Sequence, residues 1–411
     1  MISLAEARKR VLEGLSPLPG EQAGPEAALG RILSEPVVAR RTLPPFDNSA
    51  MDGYALRAAD TAGASEAAPV LLPLAREIAA GAPAGEALEA LPPGHAARIF
   101  TGAPLPPGAD AVVMQERCEA APQGVRVGQA ASVGQNIRPR GDEIEAGEVL
   151  LPAGSHLGPL ELSAALSQGR SLFFVHRRPR VAIFTSGDEL VEADREPGPG
   201  QIVSSNSLAL AAACRQAGAE ASVLGVARDT PEAIAGLVER ARGHDLILSS
   251  GGVSVGDHDH VRGVLLEAGF EEDFWKVATK PGKPILFGRL DGRPVFGLPG
   301  NPVSALVGFY LLVRPLLRRL RGLESLRETT PALLTAEAPC ARGRAQVSFV
   351  RCRGRSAEGL LQVEPLSGQA SHRTARAAGG EGFVIAPPDR ALPAGTPVEV
   401  EWIVDEPRVG A

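Results

Sequence analysis

Hydrophobic and polar positions along the chain fall into three regimes. From about Pro179 onward, apolar runs that end in small residues alternate with helical stretches. RVAIFTSG reads as a strand, Ser207 to Ala217 as a helix and ASVLGVARD as a second strand. Thr230-Pro231-Glu232 then opens a helix with a capping residue and a proline at the first helical position. DLILSSGG is a third strand, followed by a glycine-rich turn and the helical HVRGVLLEAG; after FWKVATKPG come PILFGRL and RPVFGLPG, joined by the hairpin signal Asp291-Gly292. Pro302 to Arg321 makes one long helix. Strands and helices alternating at this spacing predict a three-layer α/β domain, with a mostly parallel sheet covered on both faces.

The two flanking regimes read differently. Gly24 to Val175 lacks helical periodicity, is rich in proline and glycine, and carries short runs such as RIFTG, AVVMQE and VRVGQ. A β-rich lobe over residues 47–135, inserted in a linker module, accounts for that pattern. After Glu328 the alternating runs QVSFVRCRG, LLQVEPL, GFVIAP and PVEVEWIV predict a small β-barrel or sandwich. A first helix, Leu4 to Leu15, is expected to pack on the α/β domain.

Length and charge narrow the classes of function. At about 150 residues per domain, 411 residues allow two to four domains. A formal net charge of -6 argues against a chain that wraps nucleic acid or lies on an anionic membrane. The longest apolar run, Val303 to Val313, is too short to span a bilayer. The first residues carry Glu6, Arg8, Lys9 and Arg10 where a signal peptide needs an apolar core, so a cytoplasmic location is expected. Cys118, Cys214, Cys340 and Cys352 are far apart and read as reduced thiols.

Scarce residue types locate the chemistry. Lysine occurs only at Lys9, Lys276, Lys280 and Lys283, so three of four fall in WKVATKPGKP, although arginine is abundant. A compact ammonium can sit against a phosphate oxygen where a planar guanidinium does not fit. Asparagine occurs only at Asn48, Asn136, Asn206 and Asn301, each in a segment that reads as a loop or a helix start, where it also serves as a cap or turn residue.

In doubly wound sheets ligands bind beyond the carboxyl ends of the strands. Four segments fall there: Thr185 to Glu189, Asp229-Thr230, Ser249 to Asp259, and Lys276 to Lys283. SSGGVSVG offers backbone N–H groups and the hydroxyls of Ser250 and Ser254 to an anion; it is not a Walker A motif, which needs Lys-Ser/Thr after its last glycine. DHDH, with Asp257 and Asp259, suits Mg²⁺ better than zinc, because the other histidines show no ligand spacing. TSGDEL ends its strand with Ser186, Asp188 and Glu189, and LPGNPVS forms a stiff wall of Pro299, Asn301 and Pro302 ahead of the last helix. In the lobe and linker, Asp47, Asp52, Thr101 and Arg138 have no evident local partner.

Taken together, FDNSAMDGYA, RIFTGAPLPPGADAVVMQE, NIRPRGDEI, TSGDELVE, SSGGVSVGDHD, WKVATKPGKP and GLPGNPVSAL resemble, in order and spacing, the molybdopterin molybdenumtransferases, called MoeA in bacteria and the gephyrin E domain in animals. Many relatives read Ser-Thr-Gly where this chain has Thr185-Ser186-Gly187. The resemblance implies an elongated linker (22–46 and 136–175), a β-rich lobe (47–135), an α/β domain like that of the molybdopterin adenylyltransferases (1–21 and 176–325) and a C-terminal β-barrel (326–411). It implies insertion of molybdenum from molybdate into adenylated molybdopterin with release of AMP, Mg²⁺ as cofactor, and molybdopterin adenylyltransferase as a partner. It also implies a homodimer in which Asp52, Thr101 and Arg138 meet the α/β site of the second subunit. In that scheme Asp52, Asp188, Glu189, Asp229 and Asp259 are catalytic, and Glu189, Asp257 and Asp259 hold the metal. Substrate is bound by Thr101, Arg138, Ser186, Ser250, Ser254, Lys276, Lys280, Lys283, Pro299, Asn301 and Pro302. Two other functions compete: molybdopterin adenylylation with ATP, and a non-enzymatic dimeric scaffold.

Overall fold

In the computed structural model, which describes residues 1–85, 88–252, 260–324, 326 and 329–404, the chain forms two units. One holds Met1–Glu21 with Val175–Ala411, the other Gln22–Phe174.

The first unit is built on a six-stranded sheet in the order Glu220–Ala227, Arg180–Ser186, Leu246–Ser250, Arg293–Leu298, Leu286–Leu290, Glu271–Trp275. The first four strands run parallel. The last two pair antiparallel, because the turn Asp291-Gly292, with φ of 51° and 74°, folds Leu286–Leu290 straight back onto Arg293–Leu298. Side-chain alternation explains why every residue of RVAIFTS after Arg180 is buried. Val181 and Ile183 enter one core with Leu210, Phe296 and Leu312, whereas Ala182 and Phe184 enter another with Ile234, Leu237 and Val264.

Helices Asn206–Gln216, Pro231–Ala241 and His260–Glu267 follow the parallel strands. Thr230 Oγ1 accepts from Ala233 N at 3.3 Å and starts the second of these. The long C-terminal helix runs as α-helical Pro302–Gly308, a π-helical stretch Phe309–Val313 and α-helical Arg314–Leu320. Pro315 has no N–H for the carbonyl of Leu311, and the helix accommodates it through that wider turn. Arg8 Nε, from helix Leu4–Leu12, donates to Leu311 O at 3.1 Å. That first helix ends three residues earlier than its apolar pattern suggests, and buries Ala7 and Val11 in the unit's core.

The C-terminal segment closes into a five-stranded barrel. Strand Ala345–Arg355 pairs with Leu361–Pro365 on one side and Gly382–Ala386 on the other; Pro397–Trp402 and Thr330–Leu334 complete the ring. It is tied to the rest of the unit at several places. The short strand Thr279–Lys280 adds parallel to Ala345–Gln346. Buried Arg314 donates to Glu401 Oε1 at 2.5 Å and to Trp402 O at 3.0 Å, while Arg8 Nη2 reaches Glu401 Oε2 at 3.2 Å.

The second unit is β-rich. A four-stranded sheet orders Leu74–Ile78, Ala96–Ile99, Gly53–Leu56 and Ala111–Met114, and a three-stranded sheet orders Val70–Leu72, Gly124–Val127 and Cys118–Ala121. The pair Val37–Val38 and Val149–Leu151 joins segments on either side of that lobe. Among the described residues no helix is long and apolar enough to cross a membrane.

Candidate functional site

The carboxyl ends of the parallel strands open into a cavity of about 690 Å³. Its wall includes Ser186, Glu189, Asn206, Asp229, Ser250, Gly251, Gly252, Pro299, Asn301 and Pro302. Ser186 is the last residue of its strand and Ser250 the last of its neighbour; the register pairs Ser250 with Thr185 and leaves Ser186 one residue beyond, so both strands end at the cavity. Ser250 Oγ donates to Pro299 O at 3.0 Å and accepts from Asn206 Nδ2 at 2.8 Å. Ser186 Oγ is buried and closes no hydrogen bond of ordinary geometry, whereas Thr185 Oγ1 lies 3.3 Å from Ser204 Oγ. Of the two hydroxyls in Thr185-Ser186, the second is the one that acts on an acid of the cavity, the Asp229 carboxyl.

Glycine is required where the turn leaves the third strand. Gly251 has φ of 93°, and a Cβ there would meet Ser186 O at 2.6 Å. Its own N–H is spent on Leu298 O, so this part of the turn is not free to cradle an anion. Ser254, Asp257 and Asp259 lie outside the described residues.

The acids at the strand ends influence one another. Asp188 Oδ1 accepts from Asp229 N at 3.2 Å. Burial pushes the Asp229 carboxyl above the usual carboxylate range, and the charges of Asp188 and Glu189 push the same way. Glu189 and Asp229 line the cavity; Asp188 supports from behind.

A second cavity of about 520 Å³ adjoins the first through Pro284, Pro299, Asn301 and His372, which line both. Its wall is basic: Lys280, Lys283 and Arg344 line it with Ser304, Gln346, Gln369 and Ser371. Lys280 is placed by the pairing of Thr279–Lys280 with the barrel strand, and the turn that follows is closed by Thr279 Oγ1 donating to Gly282 O at 3.1 Å. Ser371 O accepts from Val303 N at 3.1 Å, and Asn301 Nδ2 reaches Ser371 Oγ at 3.3 Å. Barrel loop 369–372 is thereby docked on the start of the last helix. It takes up an N–H at the start of that helix which would otherwise be open to an anion.

Comparisons with known proteins match this architecture from end to end. Residues 2–169 match the family region described as MoeA N-terminal region (domain I and II), 182–319 the probable molybdopterin binding domain, and 334–403 the MoeA C-terminal region (domain IV). The chain belongs to the MoeA family. A protein named molybdopterin molybdenumtransferase from Haemophilus influenzae is 34% identical over 409 residues, covering 98% of each chain. One named molybdopterin molybdenumtransferase 2 from Mycobacterium tuberculosis is 42% identical over 327 residues, 78% of this chain and 80% of that one. The crystal structure of a molybdopterin biosynthesis MoeA protein from Pyrococcus horikoshii superposes with a TM-score of 0.82 at 34% identity, covering 98% of this chain and 99% of that one.

Within this MoeA chain two expectations need correction. Lys276 lines neither cavity: its Nζ lies 3.7 Å from the centroid of the Trp275 ring, and its φ of 78° is that of a sharp turn. Only Lys280 and Lys283 of the lysine cluster face the basic cavity. In the second unit, Asp52 does have a local partner, since Thr101 N and Thr101 Oγ1 both donate to its Oδ1 at 2.8 Å. Those bonds hold its carboxyl below the usual range. Asp47 likewise accepts from Arg140 N at 2.7 Å. Arg138 pairs through its backbone with Asn48, and its side chain is exposed.

The sequence reading missed the barrel's contribution: Arg344, Gln346, Gln369, Ser371 and His372. One signal in the sequence bears on it: His372 is one of seven histidines.

Proposed function

We propose that this chain inserts molybdenum into molybdopterin: it takes adenylated molybdopterin and molybdate, cleaves the pyrophosphate bond, releases AMP and leaves molybdenum on the dithiolene. The observation that carries this reading is the pairing of an acidic and a basic cavity across a shared wall, at the carboxyl ends of a parallel sheet.

Both substrates are oxyanions, while the chain as a whole is acidic. A unit-charge contact at about 4 Å in an effective dielectric of about 20 is worth roughly 4 kcal/mol before desolvation. Lys280, Lys283 and Arg344 therefore overcome the overall charge locally and seat phosphate or molybdate. Pro284, Pro299 and Asn301, which line both cavities, keep the two at a fixed separation, so that the two anions are presented to each other rather than sharing one seat. Glu189 and Asp229 orient the oxygen that attacks phosphorus, and Asp188 holds Asp229 in place through its backbone N–H.

Mg²⁺ fits the donor set on one observation. The Asp229 carboxyl is crowded by Asp188 and Glu189, all three offer oxygen ligands, and a divalent cation relieves that repulsion. Among the described residues no three such side chains close on a single point. That suits an ion which takes one or two carboxylates and completes its shell with water and substrate phosphate. Glu189 and Asp229 would hold it, and it would supply neutralisation of the phosphates.

The chain would work as a homodimer, with Asp52, Thr101 and Arg138 completing the cavity of a second copy. Light scattering at micromolar concentration checks the mass, and a monomer that retains full turnover ends the shared-site reading.

Lys280→Ala tests the function itself. It should abolish molybdate-dependent AMP release from the adenylated substrate while leaving circular dichroism unchanged. Undiminished release would remove the basic cavity from the reaction.

A further inference from the structure

We infer that Asn206 is a specificity-determining residue, whose Oδ1 accepts a hydrogen bond from an O–H or N–H donor on the nucleotide part of the substrate. The inference rests on the proposed function, since it needs a nucleotide-bearing substrate in the acidic cavity.

Three observations fix the atom and its direction. Asn206 Nδ2 lies 2.8 Å from Ser250 Oγ and 2.8 Å from Gly300 O. A backbone carbonyl can only accept, and Ser250 Oγ has already given its proton to Pro299 O at 3.0 Å, so it accepts too. Both amide protons of Asn206 are thus committed, and the amide cannot be turned the other way without setting its oxygen against two acceptors. Oδ1 is left on the opposite side of the amide carbon. Among the described residues it makes no hydrogen bond and is not one of the buried unpaired atoms, while Asn206 lines the acidic cavity.

Topology places this acceptor where a nucleotide is expected. Asn206 is the first residue of helix Asn206–Gln216, which follows strand Arg180–Ser186. That strand lies between Glu220–Ala227 and Leu246–Ser250, so the chain reverses its direction across the sheet at the crevice beside Ser186 and Ser250. Doubly wound sheets bind nucleotides at such a reversal.

The chemistry then selects the substrate group. The oxygens of the substrate's pyrophosphate link and of molybdate carry no proton to donate at neutral pH, and the acidic cavity is lined by Glu189 and Asp229. A fixed neutral acceptor there attracts neither anion. It rewards a ribose hydroxyl or a base amino group, and a ligand without that donor leaves it desolvated and unpaired.

The test is a binding cycle read by calorimetry on the full chain, with AMP, 2′-deoxy-AMP, 3′-deoxy-AMP and inosine monophosphate as probes, for the unaltered protein and for Asn206→Ala. The expected result is that the unaltered protein binds AMP about tenfold more tightly than one of the three analogues. Asn206→Ala should lose that preference while binding the disfavoured analogue within about twofold of the unaltered protein. A deoxy analogue as the discriminated probe assigns the donor to the ribose, and inosine monophosphate assigns it to the base. Equal weakening of all four ligands by Asn206→Ala would overturn the inference, because it reports only a loosened Ser250–Gly300 link. Equal binding of all four by the unaltered protein overturns it without any variant. If the unaltered protein does not bind AMP at all, the nucleotide reading of the cavity fails, and the inference falls with it.

Discussion

The two walls of the paired cavities are made in different ways. The acidic wall consists of strand ends: Ser186, Asp229, Ser250 and Gly251 stand where they do because adjacent parallel strands finish together. The basic wall is assembled from distant parts of the chain. Lys280 depends on a two-residue strand pairing with Ala345–Gln346, and Ser371 and His372 arrive on a barrel loop held against the last helix. Strand-end geometry is robust to loop changes, whereas the basic wall is only as firm as the docking of the barrel. Stability of the acids' positions and stability of the lysines' positions are therefore separable quantities.

The largest expected effect comes from undocking the barrel. Glu401→Ala leaves Arg314 buried and without its carboxylate, and removes the second contact to Arg8. Loss of one partner from a buried pair costs about 3–5 kcal/mol. Urea unfolding should show that loss. If the variant remains within about 1 kcal/mol of the parent, docking does not depend on this pair.

Damage to the acidic wall should be smaller and more local. Gly251→Ala forces a Cβ into Ser186 O at 2.6 Å with φ of 93°, at a cost of about 2 kcal/mol. Gly300→Ala, on the same rim, brings its Cβ no nearer than 3.7 Å to Gly251 and should fold like the parent. Thermal melts of the pair check this: equal midpoints would mean the turn shifts freely, and the strand ends would not be the rigid half.

This contrast also explains what could be read in advance. The α/β alternation, the Asp291-Gly292 hairpin and the strand-end segments were legible because each is a local pattern: period two, period 3.6, or a turn dipeptide. Ser186, Glu189, Asp229, Ser250 and the Pro299–Pro302 wall were legible for the same reason. Arg344 and His372 were not, because nothing local in ARGRAQ marks a pairing with residues 279–280, and nothing local in LSGQASHRT marks a docking on Val303. Lys276 was misplaced because clustering in sequence was read as convergence in space. One residue of backbone at φ 78° sends its side chain to Trp275 instead. Asp52 was thought partnerless since Thr101 is far away in sequence, though Gly53–Leu56 pairs directly with Ala96–Ile99 and brings the two together.

A subtler break targets the lysine turn. Thr279→Val deletes the buried bond to Gly282 O and should cost about 1 kcal/mol. Its effect on KM for molybdate should exceed its effect on stability, because Lys280 and Lys283 flank that turn. A KM equal to the parent's would show that the strand pairing alone positions them.

Acid pH distinguishes the far end of the sheet from the cavity. Burial would raise the Asp245 carboxyl, but hydrogen bonds from Arg177 at 2.6 Å and from Arg180 N at 2.8 Å outweigh it and hold it below the usual range. A group lowered on folding stabilises the fold above its unfolded pKa, and that contribution is lost as pH falls through the folded one. Stability should thus decline through the acid range, and Asp245→Asn should flatten the decline while leaving AMP binding at pH 7 unchanged. An unaltered acid profile would assign the loss to other carboxylates.

The smallest expected effect sharpens the basic wall to its true members. Lys276→Ala removes a cation stacked on Trp275 and takes nothing from either cavity, whereas Lys283→Ala takes an ammonium out of the basic one. Turnover should fall at least tenfold for Lys283→Ala, since a charged hydrogen bond contributes about 1.5–3 kcal/mol, and stay within about twofold for Lys276→Ala, whose surface contact is worth about 0.5–1 kcal/mol to the fold alone. Equal losses would mean that the whole cluster acts on substrate through a long-range field. In that case 0.5 M salt should erase both losses together, because exposed charges are screened over a few ångströms at that ionic strength while a contact inside the cavity is not.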